Sequence, residues 1–314
     1  MKTVNGGSMQ YIRRIEECYI KEETVVTLGK FDGIHQGHQE LIERLRACRT
    51  QTTKTVVFTF DISPHTLFSG VAEQILITNQ ERYTILEKMG IDYLIECPFT
   101  PAISGMEAED FVKEILVKRL HMKKIIVGID NLFGKDRRGN PELLKQMGQE
   151  LGFEVVVLTK KQMDNEDISS SRIKKEMLAE NIDKVNQLLG YPYTIMGEVV
   201  HGNELGRTIK VPTANIIPAK EKMLPRNGVY ISKILIGDTF YKGITNIGYK
   251  PTIGEKHTRG VETHIFDYDG DLYGKEIAVQ ILAFERPEKK FHSIEELQQQ
   301  LSLDIALGKE FFNE

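Results

Sequence analysis

Five blocks of β-branched and apolar residues punctuate the first half of the chain: TVVTL (24–28), TVVFTF (55–60), DYLIEC (92–97), KIIVGI (124–129) and EVVVLT (154–159). Each has strand length, and each is apolar almost throughout instead of alternating, the pattern of a strand buried on both faces. Between them the spacing turns helical. Residues 38–48 set Leu41, Leu45 and Cys48 on one stripe, and 107–120 does the same with Phe111, Ile115 and Leu116. Residues 79–89 and 140–150 are further predicted helices. Strands alternating with helices predict an α/β domain with a parallel sheet, which binds ligands beyond the carboxyl ends of its strands.

From about residue 190 the pattern changes. YTIMGEVVHG, GVYISKILIG, TFYKGITNIG, VETHIFDY and KEIAVQILAFE are strand-like runs split by Gly, Asp and Pro turns. They predict an antiparallel barrel or compact sheet. A last helix follows, opened by a Ser293/Glu296 capping box and carrying Ile294, Leu297, Leu301, Ile305 and Phe311 on a mostly apolar face. A helix over about 170–189 precedes the join at LLGYPY (188–193), which sets domains at 9–188 and 189–314. The opening MKTVNGGSM reads as a leader or an appended remnant ahead of Met9, outside the fold. No internal repeat or low-complexity segment occurs.

Composition narrows the function. At 314 residues with 40% hydrophobic and 27% charged positions, the chain is an ordinary globular protein of two domains. A formal charge of −4 argues against a surface that coats nucleic acid, so any anionic ligand must be met locally. Cys18, Cys48 and Cys97 are odd in number, far apart and without a CxxC pair, which fits a reducing cytoplasm better than a disulfide framework or zinc finger. No run of about 18 apolar residues is present to cross a membrane.

The stretch GKFDGIHQGHQELI (29–42) places two histidines where the first strand gives way to the first helix. Unpaired backbone N–H groups and the positive end of the helix dipole favour an anion there, and Gly33 and Gly37 let backbone approach a phosphate closely. Imidazoles on adjoining turns can stabilise charge growing on the α-phosphate of a nucleotide during in-line displacement. The same HxxH also fits a half-built metal site with Asp32, or two solvated histidines, but the strand, glycine and helix context favours the anion. Neither GxxxxGK[ST] nor GxGxxG is present, which disfavours a Walker A loop and a dinucleotide oxidoreductase. Further on, DISSSRIKKEM (167–177) offers Ser169, Ser170 and Ser171 at a helix start, then Arg172 and Lys174 as cations for departing phosphate.

Taken in order, GKFDGIHQGH, VFTFD, VGIDNLFGKDRRG and ISSSRIK resemble the adenylyltransferase module of the prokaryotic bifunctional riboflavin kinase/FAD synthetase family over about residues 20–190. HxGH alone marks a broad nucleotidyltransferase superfamily; the ordered set is more specific. The resemblance implies a Rossmann-like domain in which His35 and His38 engage the ATP phosphates. It implies a nucleotide site built from Gly29, Phe31, Asp32, Gly33, Gly37 and Asp130, with Ser169, Ser170, Ser171, Arg172 and Lys174 closing on the phosphates and Phe60 and Asp61 at the flavin. The family usually shows ISSTxIR and GxDFxFG. This chain has Ser171 for Thr, Lys174 for Arg, and Asn131 and Leu132 in the loop. Serine keeps a hydroxyl, whereas Lys is a point charge without a planar fork.

In the second half, GRTIKVPTANI (206–216) ends on a Thr hydroxyl and an Asn amide, neutral oxygen donors suited to Mg2+ and its phosphates. In isolation four such residues read equally as a capped turn. Glu262, at a strand start, can serve as a general base, while DYDGD (267–271) reads as a solvated hairpin or calcium loop without EF-hand spacing. Together with NGVYISKI, ITNIGYKPTIG, VETHIFDYDGDLYGK and FERPEKKFHSIEELQQQLSLDI, these resemble the riboflavin kinase module of the same family across about 190–314. The resemblance implies a six-stranded antiparallel β-barrel with a closing helix, Thr213 and Asn215 serving Mg-ATP, Glu262 taking the proton of the ribityl 5′-hydroxyl, Lys210 at the nucleotide and Arg286 at the flavin. Where the family has Gly and an aromatic before PTAN, this chain has Lys210 and Val211. Lys210 either strains that loop or gives its ammonium to a phosphate.

The expected activity is therefore ATP-dependent phosphorylation of riboflavin to FMN, then adenylylation of FMN to FAD with release of pyrophosphate, both with Mg2+. The expected partners are these small molecules alone, with no nucleic acid and no membrane. The alternatives are an FMN adenylyltransferase with a weakened kinase half, or a non-catalytic flavin sensor.

Overall fold

The apolar blocks of the first half become neighbouring strands of one sheet in the computed structural model, which describes residues 9–61, 73–202, 211–250 and 258–313. The strands are β1 (Gln10–Ile12), β2 (Glu23–Leu28), β3 (Thr53–Phe60), β4 (Tyr93–Cys97), β5 (Met122–Gly128) and β6 (Glu154–Leu158), in the order β1-β4-β3-β2-β5-β6. All five pairings are parallel. The chain runs outward from β2 through β3 to β4, then returns to place β5 on the other side of β2. The carboxyl ends of β2 and β5 thus flank the topological switch point, where such sheets open a crevice.

Helices α1 (Gln36–Ala47), α2 (Asn79–Lys88) and α3 (Pro141–Leu151) and a π-helix over Phe111–Arg119 supply the apolar partners of the sheet. Val26, Phe58, Ile95 and Ile125 pack with Phe111 and Leu144 in one cluster. Their strand neighbours Val25, Val57, Leu94 and Ile126 pack with Ile42 and Leu45 in another. Successive residues of a strand point to opposite faces, so two covered faces require the unbroken apolar runs seen in the sequence. Inside the predicted 107–120 helix, the i→i+5 winding from Phe111 brings Phe111, Val112, Ile115 and Leu116 all into the core. β1 is a three-residue edge strand that no sequence pattern announces, and the hairpin β7 (Gln162–Met163) and β8 (Glu166–Asp167) turns on Asp164 and Asn165 at φ 54° and 62°.

One predicted element is corrected. The helix expected over 170–189 is two, α4 (Ser170–Leu178) and α5 (Ile182–Leu189). Glu180 takes φ 62°, which ends the first, and the Asn181 side chain accepts the Lys184 N–H to start the second. Contact density divides the chain into Met1–Ser170 and Ser171–Glu314.

The second unit is a closed antiparallel barrel. Its strands are β9 (Tyr193–Val200), β10 (Ala214–Ile216), β11 (Gly228–Ile236), β12 (Thr239–Lys250), β13 (Thr258–Ile265) and β14 (Glu276–Arg286), in the order β10-β13-β12-β11-β14-β9. Register sets Ile216, Val261 and Ile247 side by side on one face, all fully buried. Three buried hydroxyls satisfy one another, Ser232 to Thr245 at 2.7 Å and Thr245 to Thr263 at 2.9 Å. The opposite face of β10, β13 and β12 carries Asn215, Glu262 and Asn246 in a row. Asn186 of α5 ties the barrel's entry strand down, accepting from Tyr193 N at 2.7 Å and donating to Ile281 O at 2.9 Å.

Helix α6 (Ile294–Phe311) closes this unit with Leu297, Leu301 and Ile305 of the expected face half-buried, while the ends of that face stay outside. Ile294 and Phe311 are exposed, and the buried positions are Asp304 and Gly308, flanked by Ile305. A Cβ at Gly308 would lie 2.9 Å from Phe266 and 3.0 Å from Ile244, so glycine permits the close approach. Asp304 tolerates burial because Arg286 grips both its oxygens, at 2.8 and 2.5 Å, and Gln300 donates to it at 2.8 Å. The capping box is half realised: Ser293 accepts from Glu296 N, while the Glu296 carboxylate reaches the N–H of His292.

Both carboxyl oxygens of Glu285 are buried beside the Asp304 carboxylate. Desolvation, with the Asp304 carboxylate beside it, pushes its pKa up to about 7 from 4.5. A carboxyl raised in the folded state stabilises the fold below its unfolded pKa and loses that contribution as pH rises through the folded one. Glu285→Gln is therefore expected to raise the melting temperature of the intact chain's C-terminal unit at pH 8 and to change it little at pH 5. Equal shifts at both pH values would contradict the assignment.

Candidate active sites

The turn after β2 is built from strained backbone. Phe31 and Ile34 sit at φ 50° and 40° and Gly33 at φ 92°, so three of four consecutive residues are left-handed. For the two non-glycine residues this costs about 1–3 kcal/mol each. Phe31 and Ile34 are fully buried, and burial of such side chains gives back about 1.5–3 kcal/mol each. The remainder is held by polar ties. The buried Asp32 carboxylate accepts the N–H groups of Leu76 at 2.7 Å and Ile77 at 3.3 Å, and its carbonyl accepts the Ser170 hydroxyl at 2.6 Å. Asp32, expected at the nucleotide, thus has its carboxylate engaged in fixing the loop.

That loop delivers His35 as the N-cap of α1. Its Nδ1 accepts the His38 N–H at 3.4 Å, which leaves the proton of a neutral ring on Nε2 as a donor. The two imidazoles stack with centres 3.7 Å apart and planes 21° apart, and Phe31 lies against His38 at 5.1 Å. Gly37 leaves room beside the ring: a Cβ there would stand 3.3 Å from His35 Nδ1, a tight contact. Burial lowers the His35 pKa to about 4 against the pull of Asp32. Burial, then the neighbouring His35, holds His38 well below 6.5. Both rings are neutral at pH 7, donors without fixed charge at a helix N-terminus.

Other expected residues of this site fall as follows. Gly29 N donates to Phe58 O, and a Cβ on Gly29 would meet the Phe31 ring at 3.0 Å. Phe60 is half-buried, edge-on to Phe99 at 4.8 Å, and Asp61 Oδ1 accepts Phe99 N at 3.0 Å. Asp130 is exposed and ion-paired with Lys160 at 3.1 Å. The adjacent Asn131 amide donates to Leu28 O at 3.0 Å, bridging the ends of β5 and β2 across the switch point. Ser169 and Ser170 are half-buried at the start of α4, and Ser171 is exposed. Arg172 and Lys174, both half-buried, flank the buried Ile173 on that helix. Lys210 lies outside the described residues.

In the barrel, the Thr213 hydroxyl donates to Glu262 Oε1 at 2.6 Å. β10 and β13 place Asn215 directly across from Glu262, and β12 places Asn246 on the other side of it. Asn215 is 6% exposed, and Gly202 makes room for its amide, since a Cβ there would fall 2.5 Å from Asn215 Nδ2. A cavity of about 330 Å3 opens beside them, lined by Thr213, Asn215, Thr263, Tyr268, Asp271 and Tyr273 among others. The acidic turn DYDGD is one wall of it. Tyr273 stacks on His201 at 3.8 Å. Arg286 is placed in the fork with Asp304, its guanidinium committed to anchoring α6.

Asn246 escaped the sequence reading. It lies in the quoted ITNIG run, but only strand register shows that it neighbours Glu262. Among the described residues no three His, Cys, Asp or Glu side chains converge as a metal cage, and no helix is long and apolar enough to cross a membrane.

Comparisons with known proteins match the two halves of the chain separately. A family model described as FAD synthetase matches residues 18–172, and one described as riboflavin kinase matches 189–312. The bifunctional riboflavin kinase/FMN adenylyltransferase of Buchnera aphidicola subsp. Acyrthosiphon pisum is 36% identical over 100% of this chain and 99% of its own length. That of Escherichia coli K12 is 35% identical over 93% of this chain and 94% of its own. A solved structure from Streptococcus pneumoniae, described as a macrolide-efflux protein, is 31% identical with a TM-score of 0.82 and covers 96% of this chain and 98% of its own length.

The depressed histidine pKa values have a direct readout. In an NMR titration the ring C2–H signals of His35 and His38 are expected to stay unshifted from pH 8 to 6, with His35 titrating near pH 4. Titration of either ring near 6.5 would contradict the buried, neutral pair.

Proposed function

This chain belongs to the bifunctional riboflavin kinase/FMN adenylyltransferase family, and from that premise we propose how its two sites divide the work. It phosphorylates riboflavin to FMN and adenylylates FMN to FAD. Both modules match their family models, so neither a single-activity enzyme nor a non-catalytic sensor has support. The functional boundary falls at 188/189, with FMN adenylyltransferase in 9–188 and riboflavin kinase in 189–314, and the enzyme works in the cytoplasm, where its three free cysteines stay reduced.

In the adenylyltransferase, a phosphate oxygen of FMN attacks the α-phosphorus of ATP in line and pyrophosphate leaves. Negative charge grows on the non-bridging α-oxygens. His35 Nε2–H, the His38 ring and the N-terminal amides of α1 donate to it, and because both rings are neutral they compete with no substrate cation. Phe60 and Asp61 lie on the flavin side, and Gly29, Phe31, Gly33, Gly37 and Asp130 form the nucleotide side. Arg172 and Lys174 are assigned the charge of the departing pyrophosphate from their motif alone.

In the kinase, Glu262 takes the proton of the ribityl 5′-hydroxyl, whose oxygen attacks the γ-phosphorus as ADP leaves. The Thr213 hydroxyl, by donating to Glu262, orients the carboxylate and keeps its own lone pairs as acceptors. Those lone pairs and the Asn215 amide oxygen are hard neutral donors that would hold Mg2+ together with phosphate oxygens of ATP. When bound, Mg2+ neutralises phosphate charge. Arg286 serves the flavin side by fixing α6 through Asp304. The observation that carries this reading is the separation of the two constellations, stacked neutral histidines in one unit and a Thr213–Glu262 pair in the other.

The test is a pair of single substitutions followed by chromatography of the flavins. His38→Ala is expected to lower FAD formation from FMN by about 10²–10³-fold and to leave riboflavin phosphorylation intact. Glu262→Gln is expected to do the reverse, lowering FMN formation by about 10²-fold or more. Loss of both activities from either change in a folded protein would overturn the two-site assignment.

A further inference from the structure

Beneath the histidine loop lies a buried cation that the mechanism above does not use. Arg82, in the first turn of α2, is 4% exposed. Its Nη2 donates to Glu96 Oε1 at 2.6 Å and to Asn79 Oδ1 at 2.7 Å, and its Nη1 donates to the carbonyl of Lys30 at 3.2 Å. Glu96 is 1% exposed on β4 and also accepts the Tyr11 hydroxyl from β1. Asn79 passes the tie onward, donating to Asp61 O at 3.3 Å.

The position of these acceptors matters more than their number. Lys30 is the residue immediately before the left-handed turn at Phe31, so its carbonyl fixes the entry to the loop that ends at His35. Thr59 adds a hydroxyl to the same carbonyl at 3.3 Å. Just upstream of α2, Leu76 and Ile77 hold Asp32 in the middle of that loop. Through Asn79 the same guanidinium reaches the end of β3, where Phe60 and Asp61 stand. One planar group therefore links β4, the end of β3 and the histidine loop.

We propose that Arg82 is a positioning residue for adenylyl transfer: its guanidinium sets the Lys30 carbonyl, and hence the His35/His38 pair, in register with the Phe60–Asp61 end of β3. This rests on the assignment of adenylyl transfer to the histidine site. The rival is a buried ion pair that merely stabilises the fold, and the two readings separate by substitution. Glu96→Gln removes the carboxylate charge but keeps Arg82 on Lys30 and Asn79. Arg82→Met in the Glu96→Gln background removes the guanidinium and leaves no unpaired buried charge, so the chain retains a route to folding.

The experiment measures steady-state FAD formation from FMN and ATP in the full-length chain, with its melting transition and its riboflavin phosphorylation as controls of folding. Glu96→Gln is expected to hold kcat within about threefold of wild type. The double variant is expected to lose about a hundredfold in kcat, with KM for ATP and FMN changed by less than about threefold, because misplaced donors act on the transition state. Arg82→Lys, which can still donate to the Lys30 carbonyl, is expected to recover most of that loss. A folded double variant with kcat within about threefold of wild type would overturn the proposal, as would a Glu96→Gln variant as slow as the double. If His38→Ala itself spared FAD formation, the functional assignment would fail instead, whatever Arg82 does.

Discussion

The N-terminal site depends on one constraint: three of the four residues Phe31–Ile34 must take left-handed backbone to present His35 as the cap of α1. Phe31 and Ile34 have no intrinsic preference for positive φ, so the turn exists only because its surroundings over-determine it. Both side chains are locked in the core, Asp32 is tied to Leu76 and Ile77, and Lys30 is held by Arg82 and Thr59. The gain is a pair of imidazoles desolvated enough to stay neutral, stacked, and set at a helix N-terminus beside the switch point. Neutral donors in a dry site stabilise developing charge without first having to be stripped of water or protons.

The barrel solves a similar problem by a different route. Strand register there does what strained backbone does in the first unit. Because β10, β13 and β12 pair in order, Asn215, Glu262 and Asn246 fall in one row, and the Thr213 hydroxyl comes within 2.6 Å of a carboxylate 49 positions away. The opposite face of the same strands is filled by apolar side chains and a satisfied chain of hydroxyls. A one-residue slip would exchange the two faces and destroy core and site together. That coupling ties the chemistry to a rigid sheet instead of a loop.

How much of this the sequence shows depends on the range of the physics involved. The β2 to β6 strands were legible because burial on two faces demands unbroken apolar runs, and the barrel strands because glycine and aspartate turns mark their ends. The motifs carrying His35, His38, Thr213, Asn215 and Glu262 were legible through their order along the chain. The break at Glu180–Asn181 was hidden within an otherwise helical pattern, and β1 is too short to carry a period. Positive φ at Phe31 and Ile34 leaves no mark in residue types. Arg82 and Glu96 look like surface charges in NQERYTILEK and DYLIEC, and only the structure shows them buried against each other. Asp304 is hidden in the same way, since the helical pattern gives no sign that a carboxylate is one of the buried positions of α6.

The central claim is that the histidine pair and the Thr213–Glu262 pair are separate places where ATP is opened at different phosphorus atoms. Crystals of the full chain grown with Mg2+, a non-hydrolysable ATP analogue and flavin test it most directly. The account predicts two nucleotides per chain, one with its α-phosphate in hydrogen-bond reach of His35 and His38, the other with its γ-phosphate facing a flavin ribityl hydroxyl held by Glu262. A single nucleotide, or phosphates seated away from these side chains, would contradict it.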